Sequence, residues 1–242
     1  MQQPAAGLGT EWSDLLFAVA EQLKVPLTVI ARQAELGEMT RQEDAGHLQI
    51  VRTQADAAMQ LVDSYLLGLE LLRSQTALEL EPVSISSTLV DTAHALTRFA
   101  KQYNVDIAVD VGGRYEPVMA HARGLRAALL SLGFGLVEAQ ATPTSGRRTP
   151  RLTLAVHRTP HGIIAGVYGT NDSLHADVWQ RALRLCGRAA QPFTGLSVGS
   201  GAGLFVADTI LKSMESSLKA GTWHRDRGLA AAFQSSQQLR FV

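Results

Sequence analysis

Residues 20–30 read AEQLKVPLTVI and place a proline in the middle of an amphipathic run. A proline inside a helix removes a backbone hydrogen bond and costs roughly 3 kcal/mol. Apolar residues nevertheless recur on both sides of it at steps of three and four, namely Leu16, Val19, Leu23, Leu27, Ile30 and Ala34. This spacing predicts one long amphipathic helix that begins after Ser13 as its N-cap and retains Pro26.

A second long helix is predicted directly after the first. Residues 40–43, TRQE, have the spacing of a capping box, which starts a helix. The apolar positions that follow alternate steps of three and four: Leu48, Val51, Ala55, Ala58, Val62, Tyr65, Leu69 and Leu72. Two copies of such a hairpin can form a four-helix bundle, so the heptad pattern predicts a homodimer. The alternative is that the hairpin packs on the rest of its own chain.

The second half of the chain mixes helix and strand patterns. Strands are predicted near 78–83, 105–111 and 117–120, and helices near 87–103 and 122–139. A β-hairpin is predicted from RLTLAVHR and GIIAGVYG. A helix is predicted over residues 173–187, and a glycine turn that opens another helix is predicted from GSGAGL at 199–204. A last hairpin is predicted to turn at RDRG, 225–228. The fold class is therefore α+β: a helical hairpin over 1–76 followed by an α/β sandwich over 77–242.

Composition excludes several classes of function. The 242 residues are 46% hydrophobic, and 22 basic residues balance 22 acidic ones, so a nucleic-acid or anionic-lipid partner is not indicated. The single Cys186 excludes an internal disulfide, and no histidine and cysteine cluster has zinc spacing, so no metal is expected. The absence of a signal-like N-terminus and of a long apolar run predicts a cytoplasmic protein without a membrane segment.

The order of these elements resembles the catalytic core of bacterial two-component sensor histidine kinases, over nearly the whole chain. The first helix of that family carries a phospho-accepting histidine in the pattern S-H-E-L-R-T-P-L, which aligns with AEQLKVPL at 20–27. The proline matches, whereas Glu21 stands at the acceptor position. In the family this proline bends the helix just after the acceptor, so the resemblance explains Pro26.

The same resemblance locates the nucleotide-binding boxes. LLSLGFGLVEA at 129–139 places Ser131 and Gly135 where the family has asparagines, one of which holds magnesium. VYGTNDSL at 167–174 places Gly169 where the family has the aspartate that binds adenine. GSGAGL matches the family's G-x-G-x-G-L, which makes Gly199, Gly201 and Gly203 candidates for phosphate binding, although these glycines could equally serve a tight turn and close packing.

These observations predict a pseudokinase: a dimeric, non-enzymatic regulator or scaffold in two-component-type signalling, without ATP, that binds a response regulator or another signalling protein. Its partner and dimer surface is predicted at Leu16, Val19, Leu23, Pro26, Leu27, Val51, Ala55, Ala58, Val62, Tyr65 and Leu69. One alternative is an ATP-independent phosphotransferase, or a response-regulator phosphatase in which Gln22 orients a water. A second alternative is a nucleotide-binding conformational switch.

Overall fold

The computed structural model describes residues 19–20, 23–24, 26–37, 45–74, 78–140, 149–160, 162–170 and 201–236. The helical residues among 19–37 form α1. The other elements are α2 (Ala45–Ser74), β1 (Glu81–Val83), α3 (Ile85–Gln102), β2 (Asp106–Val111), β3 (Val118–Ala120), α4 (Ala122–Gln140), β4 (Arg151–Thr159), β5 (Gly162–Gly169), α5 (Gly201–Lys212), β6 (Lys219–Trp223) and β7 (Asp226–Phe233). The predicted capping box at 40–43 and the predicted helix at 173–187 lie outside the described residues.

Five strands form a mixed sheet in the order β2-β4-β5-β7-β6. β2 runs parallel to β4 and the other neighbours are antiparallel, whereas β1 and β3 form a separate antiparallel pair. Alternate residues of β5 point to opposite faces: Ile163 and Val167 enter the main core beside the helices, and Ile164 and Tyr168 enter a small cluster on the other face. The α+β fold class and the β4–β5 hairpin are confirmed.

Helix α3 is amphipathic and lies on the sheet. Ser84 is its N-cap, and the Ser84 side chain accepts the N–H of Ser87 at 3.4 Å. The buried residues Leu89, Ala93, Leu96 and Ala100 follow one another at steps of four, three and four. The helix begins at Ile85, two residues before the predicted start at 87. The reason is that Ser84, the first of three serines in VSISS, supplies the cap.

Helix α4 is buried on most of its circumference, as expected for a helix that is apolar nearly all round. Its glycines let neighbouring helices approach. A Cβ on residue 133 would collide with the side chain of Leu96 in α3, and one on residue 124 would lie 3.2 Å from Ile210 Cγ2 in α5. α4 therefore forms the centre of the helical layer.

Helix α2 packs on this helical layer of its own chain. Ala57, Leu61 and Tyr65 belong to the same core as α3, α4 and α5. A Cβ on Gly68 would lie only 3.1 Å from Val206 Cγ1 in α5, so a glycine allows the two helices to meet closely. The sequence left packing of the hairpin on its own chain as the alternative to the bundle, and α2 shows this packing. The dimeric bundle remains a prediction.

The last hairpin turns earlier than predicted. β6 ends at Trp223 and β7 begins at Asp226, with His224 at a φ of +51° between them. The glycine of RDRG, Gly228, lies inside β7 instead of in the turn. A Cβ on residue 228 would collide with the carbonyl oxygen of Val167, so this glycine is required by the close approach of β5.

Candidate functional site

The two positions that the resemblance assigns to nucleotide-binding groups share one face of α4 with Glu138. Ser131, Gly135 and Glu138 are spaced i, i+4 and i+7. Ser131 is fully buried, and neither its hydroxyl nor Glu138 Oε2 has a hydrogen-bond partner among the described residues. No described atom lies within 4 Å of the position that a Cβ on residue 135 would take. This face of α4 therefore carries polar groups and has unfilled space beside Gly135.

The carboxyl of Glu138 has an altered acidity. Burial raises its pKa to about 8, because the charged form loses its hydration. Burial also raises the pKa values of Tyr65 and Tyr103, and the negative charge of Glu138 adds to both shifts. Glu138 can therefore hold or release a proton close to neutral pH.

The side chain of Gln140 covers the Cα of Gly169. Gln140 is 1% exposed, and its amide nitrogen and oxygen have no partner among the described residues. A Cβ on residue 169 would collide with that amide. The position that the resemblance assigns to the adenine-binding aspartate is thus already filled by a neighbouring side chain.

The glycine-rich segment leads into α5. Gly201 is the first residue of the helix, and Gly203 is buried in its first turn. Gly199 lies outside the described residues. Leu204 and Ala207 anchor the helix in the main core.

The hairpin residues named from the sequence fall into three groups. Leu16, Glu21 and Gln22 lie outside the described residues. Val19 and Leu23 are half-buried against the main core, and Pro26 is buried. Leu27 is exposed. The structure therefore places Val19, Leu23 and Pro26 on the inner side of α1 and Leu27 on its outer side.

The outer face of α2 carries an apolar stripe. Its members are Leu48, Ala55, Met59, Val62, Leu66 and Leu69, which we call the α2 stripe. Four of them are large and exposed: Leu48 by 67%, Met59 by 60%, Val62 by 37% and Leu66 by 59%. Val51, Ala55, Ala58 and Leu69 are half-buried, whereas Tyr65, which the heptad spacing places in the seam, is 2% exposed and faces the chain's own core.

The described histidines occupy separate places. Nδ1 of His47 in α2 donates to Gln33 Oε1 in α1 at 2.6 Å. His121 caps α4: the Gly124 N–H donates to His121 Nδ1 at 3.1 Å. His94 is exposed on α3. Among the residues of the described ranges, no three potential metal ligands lie together.

Sequence reasoning missed a cluster on the outer face of the sheet. The indole N–H of Trp223 donates to Asp110 Oδ2 at 3.0 Å, and His224 Nε2 lies 3.4 Å from the same oxygen. The ring of His157 stacks on Trp223 with 5.0 Å between ring centres, and burial lowers the pKa of His157. These residues come from three strands and the β6–β7 turn, so no local sequence pattern signalled the cluster.

Comparison with solved structures identifies this architecture. One match, a bacterial phosphotransferase, has a TM-score of 0.50 at 12% identity and covers 96% of this chain and 98% of that one. The histidine kinase AdeS of Acinetobacter baumannii matches with a TM-score of 0.49 at 15% identity, covering 88% and 97%. At a TM-score of 0.50 the match to the phosphotransferase shows a shared overall fold.

A third match is the histidine kinase ThkA in complex with the response regulator protein TrrA, with a TM-score of 0.48 at 10% identity over 92% of this chain. The chain spans 61% of that kinase chain and 39% of full-length ShkA. No protein-family profile and no curated protein sequence matches. None of the helices in the described part of the chain has the length and apolar character needed to cross a membrane.

The prediction of a non-enzymatic protein is wrong. It rested on the residues that stand at the acceptor, metal and adenine positions of the resemblance. The solved structure that shares the fold at a TM-score of 0.50 is a bacterial phosphotransferase, which is an enzyme. A loss of catalytic residues is not shown, and Glu21 and Gln22 lie outside the described residues. The fold match therefore gives no ground for excluding catalysis.

Proposed function

We propose that this chain is a dimeric protein of two-component-type signalling that binds a response regulator through its helical hairpin. The observation that carries the proposal is the α2 stripe, which stays exposed although the opposite face of α2 is buried against the chain's own core. A hairpin that only had to pack on its own sandwich would need one apolar face, and α2 has two.

A second copy of the chain is the occupant that the stripe suits best. From Leu48 to Leu69 its members are separated by steps of seven, four, three, four and three, the pattern of helix-to-helix packing. At 1.5 Å per residue the stripe is about 32 Å long. Fully burying each large apolar side chain contributes roughly 1.5–3 kcal/mol, so a matching stripe on a partner copy offers substantial stabilisation.

The outer side of α1 supports binding of a response regulator. Leu27 is 57% exposed, directly beside the buried Pro26. A large exposed apolar side chain on a helix that is otherwise anchored is a suitable contact for a partner. The relative ThkA forms a complex with a response regulator.

We further propose that the chain acts without bound magnesium and ATP. The residues at the matching positions do not fit that ligand: Ser131 and Gly135 supply no carboxylate or amide oxygen, and the amide of Gln140 fills the space beside Gly169. The surroundings of the Glu138 carboxyl also hydrate charge poorly, because burial there raises its pKa to about 8.

ATP-independent action on a phosphorylated response regulator is a second candidate, favoured by the match to the bacterial phosphotransferase over 96% of the chain. In the hydrolytic form, a water held by Gln22 attacks the phosphorus of the regulator's aspartyl phosphate. The bond from phosphorus to the aspartyl oxygen breaks, and inorganic phosphate and the free carboxylate are released.

Titration calorimetry with a panel of purified receiver domains tests the main proposal. We expect saturable binding of at least one domain, weakened about tenfold by Leu27→Asp. Leu36→Asp is the matched control, because Leu36 is an exposed leucine on the same helix that is not among the predicted partner-surface residues. Binding that is insensitive to Leu27→Asp would contradict docking on the hairpin.

The second candidate has its own readout. Receiver domains charged with acetyl phosphate should lose their phosphate faster in the presence of the protein, and Gln22→Ala should abolish the acceleration. Unchanged decay would eliminate the hydrolytic activity while leaving the binding result intact.

A further inference from the structure

A polar groove follows the seam between α2 and the helices of the sandwich. It consists of two adjoining cavities of about 240 and 290 Å³ that share Gln60 as a lining residue. The first is lined by α2, α3 and α4, and the second by α2 and α4. We call this feature the seam groove. It lies on a flank of α2 between the buried face and the α2 stripe.

The two walls of the seam groove carry opposite charges. Asp56 and Asp63 project from α2, whereas Arg98 stands on α3 and Arg123 and Arg126 stand on α4. The ion pairs found among the described residues lie elsewhere, at Glu116, Asp110 and Asp208. Among the described residues, these arginines form no ion pair within 4 Å with the aspartates that face them.

Arg123 and Arg126 are suited to bind an anion together. They are three residues apart on α4, and both line the same cavity. Each guanidinium is always charged and presents five N–H donors in a planar fork that matches a carboxylate or phosphate. The first cavity is different in character, because its floor includes Phe99 and Phe134, which pack edge to face at 4.9 Å.

Gln60 connects the two halves of the groove. Its Oε1 is buried and has no hydrogen-bond partner among the described residues. An unpaired buried acceptor costs about 1–3 kcal/mol, which a donor group on a ligand would relieve. An apolar floor, a central acceptor and a pair of arginines thus follow one another along the groove.

We propose that the seam groove is a binding site for a small aromatic anion. A phosphate or carboxylate is bound by Arg123 and Arg126, the ring extends from there along the groove toward the Phe99–Phe134 floor, and a donor on the ligand pairs with Gln60. The two cavities together have the volume of an ordinary small-ligand pocket. Because the walls belong to the hairpin and to the sandwich, the ligand stabilises the docked position of α2. This site is independent of the proposed binding of a response regulator.

Heteronuclear NMR titration with phenyl phosphate, benzoate, inorganic phosphate and phenol tests the site. We expect phenyl phosphate or benzoate to bind at least about tenfold more tightly than either inorganic phosphate or phenol. Their ratio distinguishes a phosphate site from a carboxylate site. Amide shifts should centre on His94, Arg98 and Arg126.

Variants separate the site from general attraction of anions. Arg126→Ala should weaken binding about tenfold, whereas Arg114→Ala, which changes an exposed arginine in the turn after β2, should leave binding unchanged. Thermal melting confirms that each variant is folded. Equal affinity for inorganic phosphate and phenyl phosphate, equal effects of Arg114→Ala and Arg126→Ala, or no saturable binding up to about 10 mM of either aromatic anion would overturn the proposal.

Discussion

The side-chain amide of Gln140 lies in the space that a side chain on Gly169 would need. The two residues belong to the end of α4 and the end of β5, so this contact fixes how the central helix meets the sheet. The Gln140 amide is buried without a hydrogen-bond partner among the described residues. Its contribution to this contact therefore comes from the space it fills and not from a hydrogen bond.

Replacing Gly169 should therefore be costly only while Gln140 is present. We expect Gly169→Ala to lower the free energy of unfolding by about 1–3 kcal/mol, because the new Cβ displaces the amide. In a Gln140→Ala background the same change should cost much less. Urea denaturation of the four proteins measures the coupling. Equal costs in both backgrounds would show that the two side chains do not compete for space.

The buried carboxyl of Glu138 should make stability depend on pH. Its pKa is about 8 in the folded protein against 4.5 without burial, so the folded state holds a proton that the unfolded state has lost. The free energy of unfolding should thus be highest below about pH 4.5 with respect to this group, and should fall as the pH rises toward 8. The full loss is at most roughly 1.4 kcal/mol for each unit of upward pKa shift.

The variant Glu138→Gln should remove this fall between pH 5 and 8, because the amide does not ionise. Glu79→Gln is the matched control, since Glu79 is exposed. Chemical denaturation across the pH range gives the comparison. A slope that is the same in wild type and Glu138→Gln would contradict the buried, protonated carboxyl.

The contact between α2 and α5 can be trapped covalently. The Cβ of Val206 lies 3.6 Å from the position that a Cβ on residue 68 would take, which is within the range of disulfides. We expect Gly68→Cys with Val206→Cys, in a Cys186→Ser background, to form a disulfide on mild oxidation. Non-reducing electrophoresis should show a cross-link within one chain. Exclusive cross-linking between chains would mean that α2 packs on the sandwich of its partner.

The outer-face cluster should depend on Asp110. Removing its carboxylate in Asp110→Ala leaves the indole N–H of Trp223 without its acceptor and should cost about 1 kcal/mol. The indole ¹H–¹⁵N resonance of Trp223 should shift in the same variant. Asp106→Ala, which changes an exposed aspartate of the same strand, is the control and should leave that resonance in place.

The local patterns of the sequence predicted most of the elements. Alternation in VDIAVDV identified β2, and the apolar run around Leu129 identified α4, to within a few residues. The turn of the last hairpin was placed late because Gly228 was interpreted as a turn residue. Its real constraint is the carbonyl oxygen of Val167, which is 61 positions away in the chain and leaves no trace in local sequence.

The orientation of α2 shows why the site was harder to predict. Apolar residues surround much of this helix, so periodicity cannot tell that Tyr65 faces inward while Met59 and Leu66 face outward. That choice depends on small residues in distant positions, such as Gly68 against Val206. For the same reason the seam groove could not be anticipated, because its walls come together only when α2 docks on the sandwich.

The mass of the protein in solution tests the α2 stripe most directly. By light scattering at micromolar concentration, wild type should have twice the 26.0 kDa of one chain, and Val62→Lys should have the mass of one chain. Val90→Lys is the control, because Val90 is equally exposed, at 37%, but lies on α3. A monomeric wild type, or a Val62→Lys variant that dimerises as tightly as wild type and Val90→Lys, would contradict the account.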